Sequence, residues 1–157
     1  VELFRASGIG AAEAIALSSA IGIFQVAARA LEFTFARNRS SVRTALDAAA
    51  LMSLGFLTLA LFDGWLPAAV FVLLYGLSSG VMSVARSTMP LELFDPAAYG
   101  QMMARLATPM LLAFAAAPVL FGALLEHAGA RPAFLLALLL TLLSFACLWN
   151  LRRLAHR

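Results

Sequence analysis

The chain is 157 residues long, 63% hydrophobic and 12% charged. Soluble domains carry roughly 25% charged residues, so this composition has too little charge to cover a water-facing globule, and it points to lipid as the solvent. The formal charge of +3 comes from eleven basic residues, all arginine. Most of them end apolar runs, and none builds the basic, aromatic-interleaved patch of a single-strand binder, so nucleic acid is not an expected partner.

Site chemistry is sparse. The one cysteine, Cys147, allows no internal disulfide and reads as a small apolar filler. His127 and His156 lie beside charged residues outside the apolar runs, and no His, Cys or Asp cluster has metal-ligand spacing. Phosphate loops and hydrolase signatures are missing as well. The expectation is a protein that is not an enzyme and uses neither cofactor nor metal. No basic segment precedes an apolar one at the start, so a signal peptide is not evident.

A bilayer core about 30 Å thick takes about 20 helical residues. Five segments meet that need, at about 10–35, 45–62, 65–86, 105–126 and 132–151. Alternation is absent and Ala and Leu dominate, which argues against β structure. The expected fold is an all-α integral membrane protein, a bundle of five transmembrane helices.

The first span reaches full length only by including Arg29 and Glu32, or Glu13 at its other end. At about 100° per residue, Ser18, Gly22, Gln25, Arg29 and Glu32 fall within about 80° of one another. A charge near the bilayer centre costs roughly 2.5–3.5 kcal/mol on insertion scales, and such residues face a bundle interior or a watery cavity. Gln25, Arg29 and Glu32 are therefore expected in a substrate path or inter-helix polar network. The plainer alternative is an arginine reaching the interface, with Glu32 as a partner one turn on. Arg37, Arg39 and Arg43 follow as a basic loop.

The second span opens at Thr44-Ala45-Leu46-Asp47, a capping-box pattern. Asp63-Gly64-Trp65-Leu66-Pro67 reads as a tight turn, with Trp65 at the membrane interface. In the third span Tyr75, Ser79, Met82, Ser83 and Arg86 share a face, so Tyr75, Ser79, Ser83 and Arg86 join the expected network. Beside them Gly76 and Gly80 form a GxxxG that permits close helix packing. Asp95-Pro96 reads as a cap and first turn. That start leads into a fourth span through Pro109 and Pro118, where kinks are expected. Ala113, Ala117 and Gly122 give this span a small-residue packing surface. Gly129 and Pro132 separate it from the fifth span, whose polar uncharged residues are Thr141, Ser144 and Asn150, and which is expected at the periphery.

Loops alternate across a membrane. One set holds Arg37, Arg39, Arg43, Arg86, Arg105, Arg152, Arg153 and Arg157; the other holds Arg5 and Arg131. Eight against two is a positive-inside bias. It predicts an outside N-terminus and a cytoplasmic C-terminus.

The order of features resembles the last five helices of the C-terminal half of the major facilitator superfamily. A basic inner loop follows the first span, then a very short outer turn, a Gly/Ser-rich span and a long inner loop. "GIFQVAARALEF" resembles that family's eighth helix. "RSTMPLELFDPAAYGQMMARLATP" resembles the inner loop and following helix of bacterial members. The likeness covers nearly the whole chain. The family's loop motif, Gly-x-x-x-Asp-Arg-x-Gly-Arg-Arg, is eroded: with its arginine at Arg37, Ala36 falls on the acid and Arg39 on the glycine. No gating role is assigned to Ala36 or Asn38.

The resemblance implies part of a six-helix half of that fold, in a bacterial cytoplasmic membrane. It implies a secondary active transporter moving a small solute by alternating access, with proton-coupled efflux as the mode the family suggests. The chain would then supply one wall of a site completed by an N-terminal half of the same protein. Glu13, Asp47 and Glu126 lie near helix ends, which places any coupling acid elsewhere. The alternative is a non-transporting helical scaffold or assembly subunit in the same bilayer. Seven further spans encoded upstream would favour the transporter.

Overall fold

The computed structural model describes residues 9–35, 39–95, 97 and 99–155. Arg5, Ala36, Arg37, Asn38, Pro96, His156 and Arg157, all used above, lie outside the described residues. The architecture is all-α, with α1 (Ala11–Phe35), α2 (Ser41–Leu61), α3 (Trp65–Leu93), α4 (Tyr99–Ala128) and α5 (Ala130–Ala155). All five are long and apolar enough to cross a membrane, and no strand occurs among the described residues.

Helix α3 is central: it packs along α2 and α1, α2 packs in turn on α5, and α4 touches α5 and, more lightly, α3. Small residues set these contacts. A Cβ built on Gly76 would lie 2.6 Å from the Phe24 Cβ, and one on Gly80 would lie 2.5 Å from the Gln25 carbonyl oxygen. Sequence number rises together along both partners, so α1 and α3 run parallel in direct backbone contact, as a GxxxG allows. Across the α2–α3 seam the buried Ser78 hydroxyl donates to the Ala48 carbonyl at 2.7 Å. The Phe71 ring sits 5.1 Å from Phe56 and 5.2 Å from Tyr75.

Polar contacts tie the two ends. At one, the Ser41 N–H donates to the Glu92 carboxylate at 2.6 Å and the Ser41 hydroxyl to Thr88 at 2.9 Å. At the other, Arg131 pairs with Asp63 at 2.9 Å, joining the α2–α3 turn to the start of α5. Gly64 (φ 114°) and Gly129 (φ 86°) make the two short turns of that end, in a left-handed region that other residues avoid.

Three elements differ from the sequence reading. First, α2 begins at Ser41, so the Thr44–Asp47 box does not open it. The Thr44 hydroxyl donates instead to Glu32, and Asp47 accepts from Arg39. The Glu92 carboxylate accepts one of the first-turn N–H groups of α2 and sits at the positive end of its dipole, which favours the extra turn. Second, α3 continues past Pro90 to Leu93, beyond the apolar span that ended at Arg86. Third, the expected periphery moves. Ala133, Phe134 and Ala137 of α5 are buried, whereas α4 buries none of its described residues. Polarity had marked α5 as lipid-facing. In lipid, however, helices associate through small residues that let backbones approach, and Ala133 and Ala137, one turn apart, supply that surface.

Candidate functional site

On α1, the contact face toward α3 is centred on Ile21, Phe24 and Ala28. The polar stripe lies about 90° around from it at about 100° per residue. On α3, the stripe from Tyr75 to Arg86 lies about 90° from Gly76 and Gly80, in the opposite rotational sense. Opposite rotations on two parallel helices point to the same side. The two stripes therefore flank one groove along the α1–α3 seam.

They meet where the Gln25 side-chain amide donates to the Ser79 hydroxyl at 2.8 Å. Both residues are half-buried. Gly22, one turn earlier, is exposed, and a Cβ there would meet nothing within 4 Å, so the groove is open at that level. The Ser83 hydroxyl donates back to the Gly80 carbonyl at 2.7 Å and that of Ser18 to the Ala14 carbonyl at 2.8 Å. Both hydroxyls are thereby satisfied by their own helices. Tyr75 leans on Phe71 and Phe56 in the aromatic cluster.

The charged members separate. Glu32 turns away from Arg29, and its carboxylate accepts from Thr44 of α2 at 3.0 Å. It lines a polar cleft with Arg39, Ser41 and Thr88 at the end of the bundle. Arg29 is exposed and has no ion-pair or hydrogen-bond partner among the described residues, so the one-turn Arg29–Glu32 pair is not formed. Arg86 reaches α4: its guanidinium carbon is 5.7 Å from the centroid of the Phe114 ring, and Nη1 is 3.9 Å from the Met110 sulfur.

The expected packing surface on α4 stands apart from these contacts. Ala113 is exposed, Ala117 and Gly122 are half-buried, and a Cβ at Gly122 would meet nothing within 4 Å. Sequence reasoning missed Thr44 as the partner of Glu32, and Met110 and Phe114 around Arg86. The last two lie four residues apart on one helical face, the spacing at which side chains act together. That was the available signal. No group of three or more His, Cys, Asp or Glu able to hold a metal occurs among the described residues.

Fold and site together define a class: a bundle of five helices, each long and apolar enough to cross a membrane, with a polar groove between two parallel helices. No family model, curated protein or solved structure matches the chain.

Proposed function

We propose that this chain is one wall of a solute transporter that works by alternating access, with the α1–α3 groove as part of the solute path. The observation that carries the reading is the convergence of two polar stripes on one open side of the bundle. Lipid contact rewards neither stripe, because polar groups in hydrocarbon cost free energy unless satisfied. A second helical domain facing the groove would complete the path, the arrangement in which transporters place their sites between repeats. The likeness to helices eight to twelve of the major facilitator superfamily supports the same reading. In that frame the loop at Ser40 and the C-terminal end face the cytoplasm.

Gly22→Cys and Ser83→Cys, each placed in the full-length protein with Cys147→Ser, test it by maleimide labelling in sealed vesicles. Both cysteines are expected to react with a membrane-impermeant reagent applied from either side. Leu139→Cys, on an exposed apolar face of α5, is expected not to react. Failure of both groove cysteines to label would leave a dry packing seam and favour the scaffold reading.

A further inference from the structure

Two arginines on the groove's stripes have no counter-charge, while every acid near them is engaged elsewhere. Glu32 accepts from Thr44 and Glu92 from the Ser41 N–H. Asp47 pairs with Arg39. No ion pair reaches Arg29 or Arg86 among the described residues. Both sit toward one end of helices long and apolar enough to cross a membrane, where ionisable side chains face a bundle interior or a watery cavity.

Their placement brings them to one wall. Gln25 and Ser79 mark a common level through their hydrogen bond. At about 1.5 Å of rise per residue, Arg29 lies about 6 Å beyond that level and Arg86 about 10 Å beyond it, toward the same end. The backbones of α1 and α3 touch at Gly80, and both arginines leave on the groove side. Arg86 is also oriented. Its guanidinium carbon lies over the Phe114 ring, 5.7 Å from the centroid, and Nη1 is 3.9 Å from the Met110 sulfur. Neither contact is to a carboxylate, so the guanidinium keeps N–H donors for an oxygen acceptor. Arg152 and Arg153 make similar contacts to Trp149 at the end of α5. They lie on α5, outside the α1–α3 groove, which makes them the natural controls.

We propose that Arg29 and Arg86 form an oxyanion site in the α1–α3 groove, and that the solute passing through it carries a carboxylate or phosphate group. The assignment rests on reading the groove as a solute path. A phospholipid headgroup offers the same oxygens, so the test separates the two sources.

The full-length protein, purified in a neutral detergent, is heated with benzoate or inorganic phosphate at constant ionic strength, and separately with phosphatidylglycerol in the micelles. A thermal midpoint that rises and saturates with benzoate or phosphate is expected, since a ligand of the folded state stabilises by mass action. That shift is expected to vanish in Arg29→Gln/Arg86→Gln and to survive in Arg152→Gln/Arg153→Gln. In the unsubstituted protein, the same anions are expected to slow phenylglyoxal modification of Arg29 and Arg86 relative to Arg152, which needs no variant to fold. A response to phosphatidylglycerol alone assigns the site to a headgroup and overturns the solute. No response to any of the three, or a shift unchanged in Arg29→Gln/Arg86→Gln, overturns the site itself. Maleimide labelling of Gly22→Cys without any anion response would sink this inference and leave the transport reading standing.

Discussion

Gly80 and Gly22 are both glycines within apolar helices, and their surroundings give opposite predictions. A Cβ at Gly80 would sit 2.5 Å from the Gln25 carbonyl oxygen and 2.8 Å from the Ala28 Cβ. Backbone cannot yield as a flexible side chain does, so α1 and α3 must separate. Gly80→Ala should destabilise the fold by about 1–3 kcal/mol, the range for overpacking a filled seam. Gly80→Leu should reduce folded yield further. Gly76→Ala meets the Phe24 Cβ at 2.6 Å and belongs with it. Gly22→Ala meets nothing and should be neutral or stabilising by up to about 1 kcal/mol through helix propensity. Unfolding midpoints of the three purified alanine variants decide this. Equal tolerance at Gly80 and Gly22 would show that α1 does not pack there. The sequence held half of this contrast. The GxxxG spacing announced a close approach, but only the fold shows that Gly22, four residues from Ser18 on the polar stripe, faces open space.

At the scale of the helix, polarity and packing have to be judged separately. Helix α5 carries few polar residues and yet buries Ala133, Phe134 and Ala137. Helix α4, with its prolines and small residues, buries nothing described. Lipid is as apolar as leucine, so a leucine-rich face gains little by turning inward, and shape decides. Ala133→Leu and Ala137→Leu should therefore lower the yield of folded protein in detergent, while Ala113→Leu should leave it unchanged. Size-exclusion profiles of the three variants, read beside the unsubstituted protein, are the check. A monodisperse Ala137→Leu variant at full yield would remove α5 from the core. The existence of five helices was legible because each needs an apolar run of about 20 residues, and four charge-bearing or glycine-containing breaks separate them. Their ends were less legible. The start of α2 depends on Glu92, 51 residues away in sequence, and no local pattern shows such a partner. The same holds for the groove. Each stripe could be drawn from its own helix, whereas their facing the same side required the parallel contact of α1 and α3.

For the whole molecule, helices that cross a membrane in this arrangement have two mirror choices of sidedness, and the arginine distribution predicts one of them. The Arg131–Asp63 pair puts the α2–α3 turn and the start of α5 at one end. The contacts of Ser41 with Glu92 and Thr88 put the start of α2 and the end of α3 at the other. Strict alternation of five spans then follows, so fixing one loop fixes all. Arg39, Arg43 and Arg86 lie toward the Ser41 end, and so do Arg152 and Arg153, at the far end of α5 from Arg131. Arg131 lies at the opposite end, where it is neutralised by Asp63. Basic residues in short loops are retained on the cytoplasmic side, so Ser40 should face the cytoplasm and Asp63 and Ala130 the outside. The predicted measurement uses Ser40→Cys, Asp63→Cys and Ala130→Cys, each with Cys147→Ser, in intact cells exposed to an impermeant maleimide. Asp63→Cys and Ala130→Cys should label in intact cells, and Ser40→Cys only after the membrane is opened. Asp63→Cys also removes the partner of Arg131, so Ala130→Cys is the cleaner reporter of that end. Labelling of Ser40→Cys from outside, with Ala130→Cys protected, would invert the assignment while leaving the bundle intact. Labelling of both from outside would break the alternation, and with it the five-span reading.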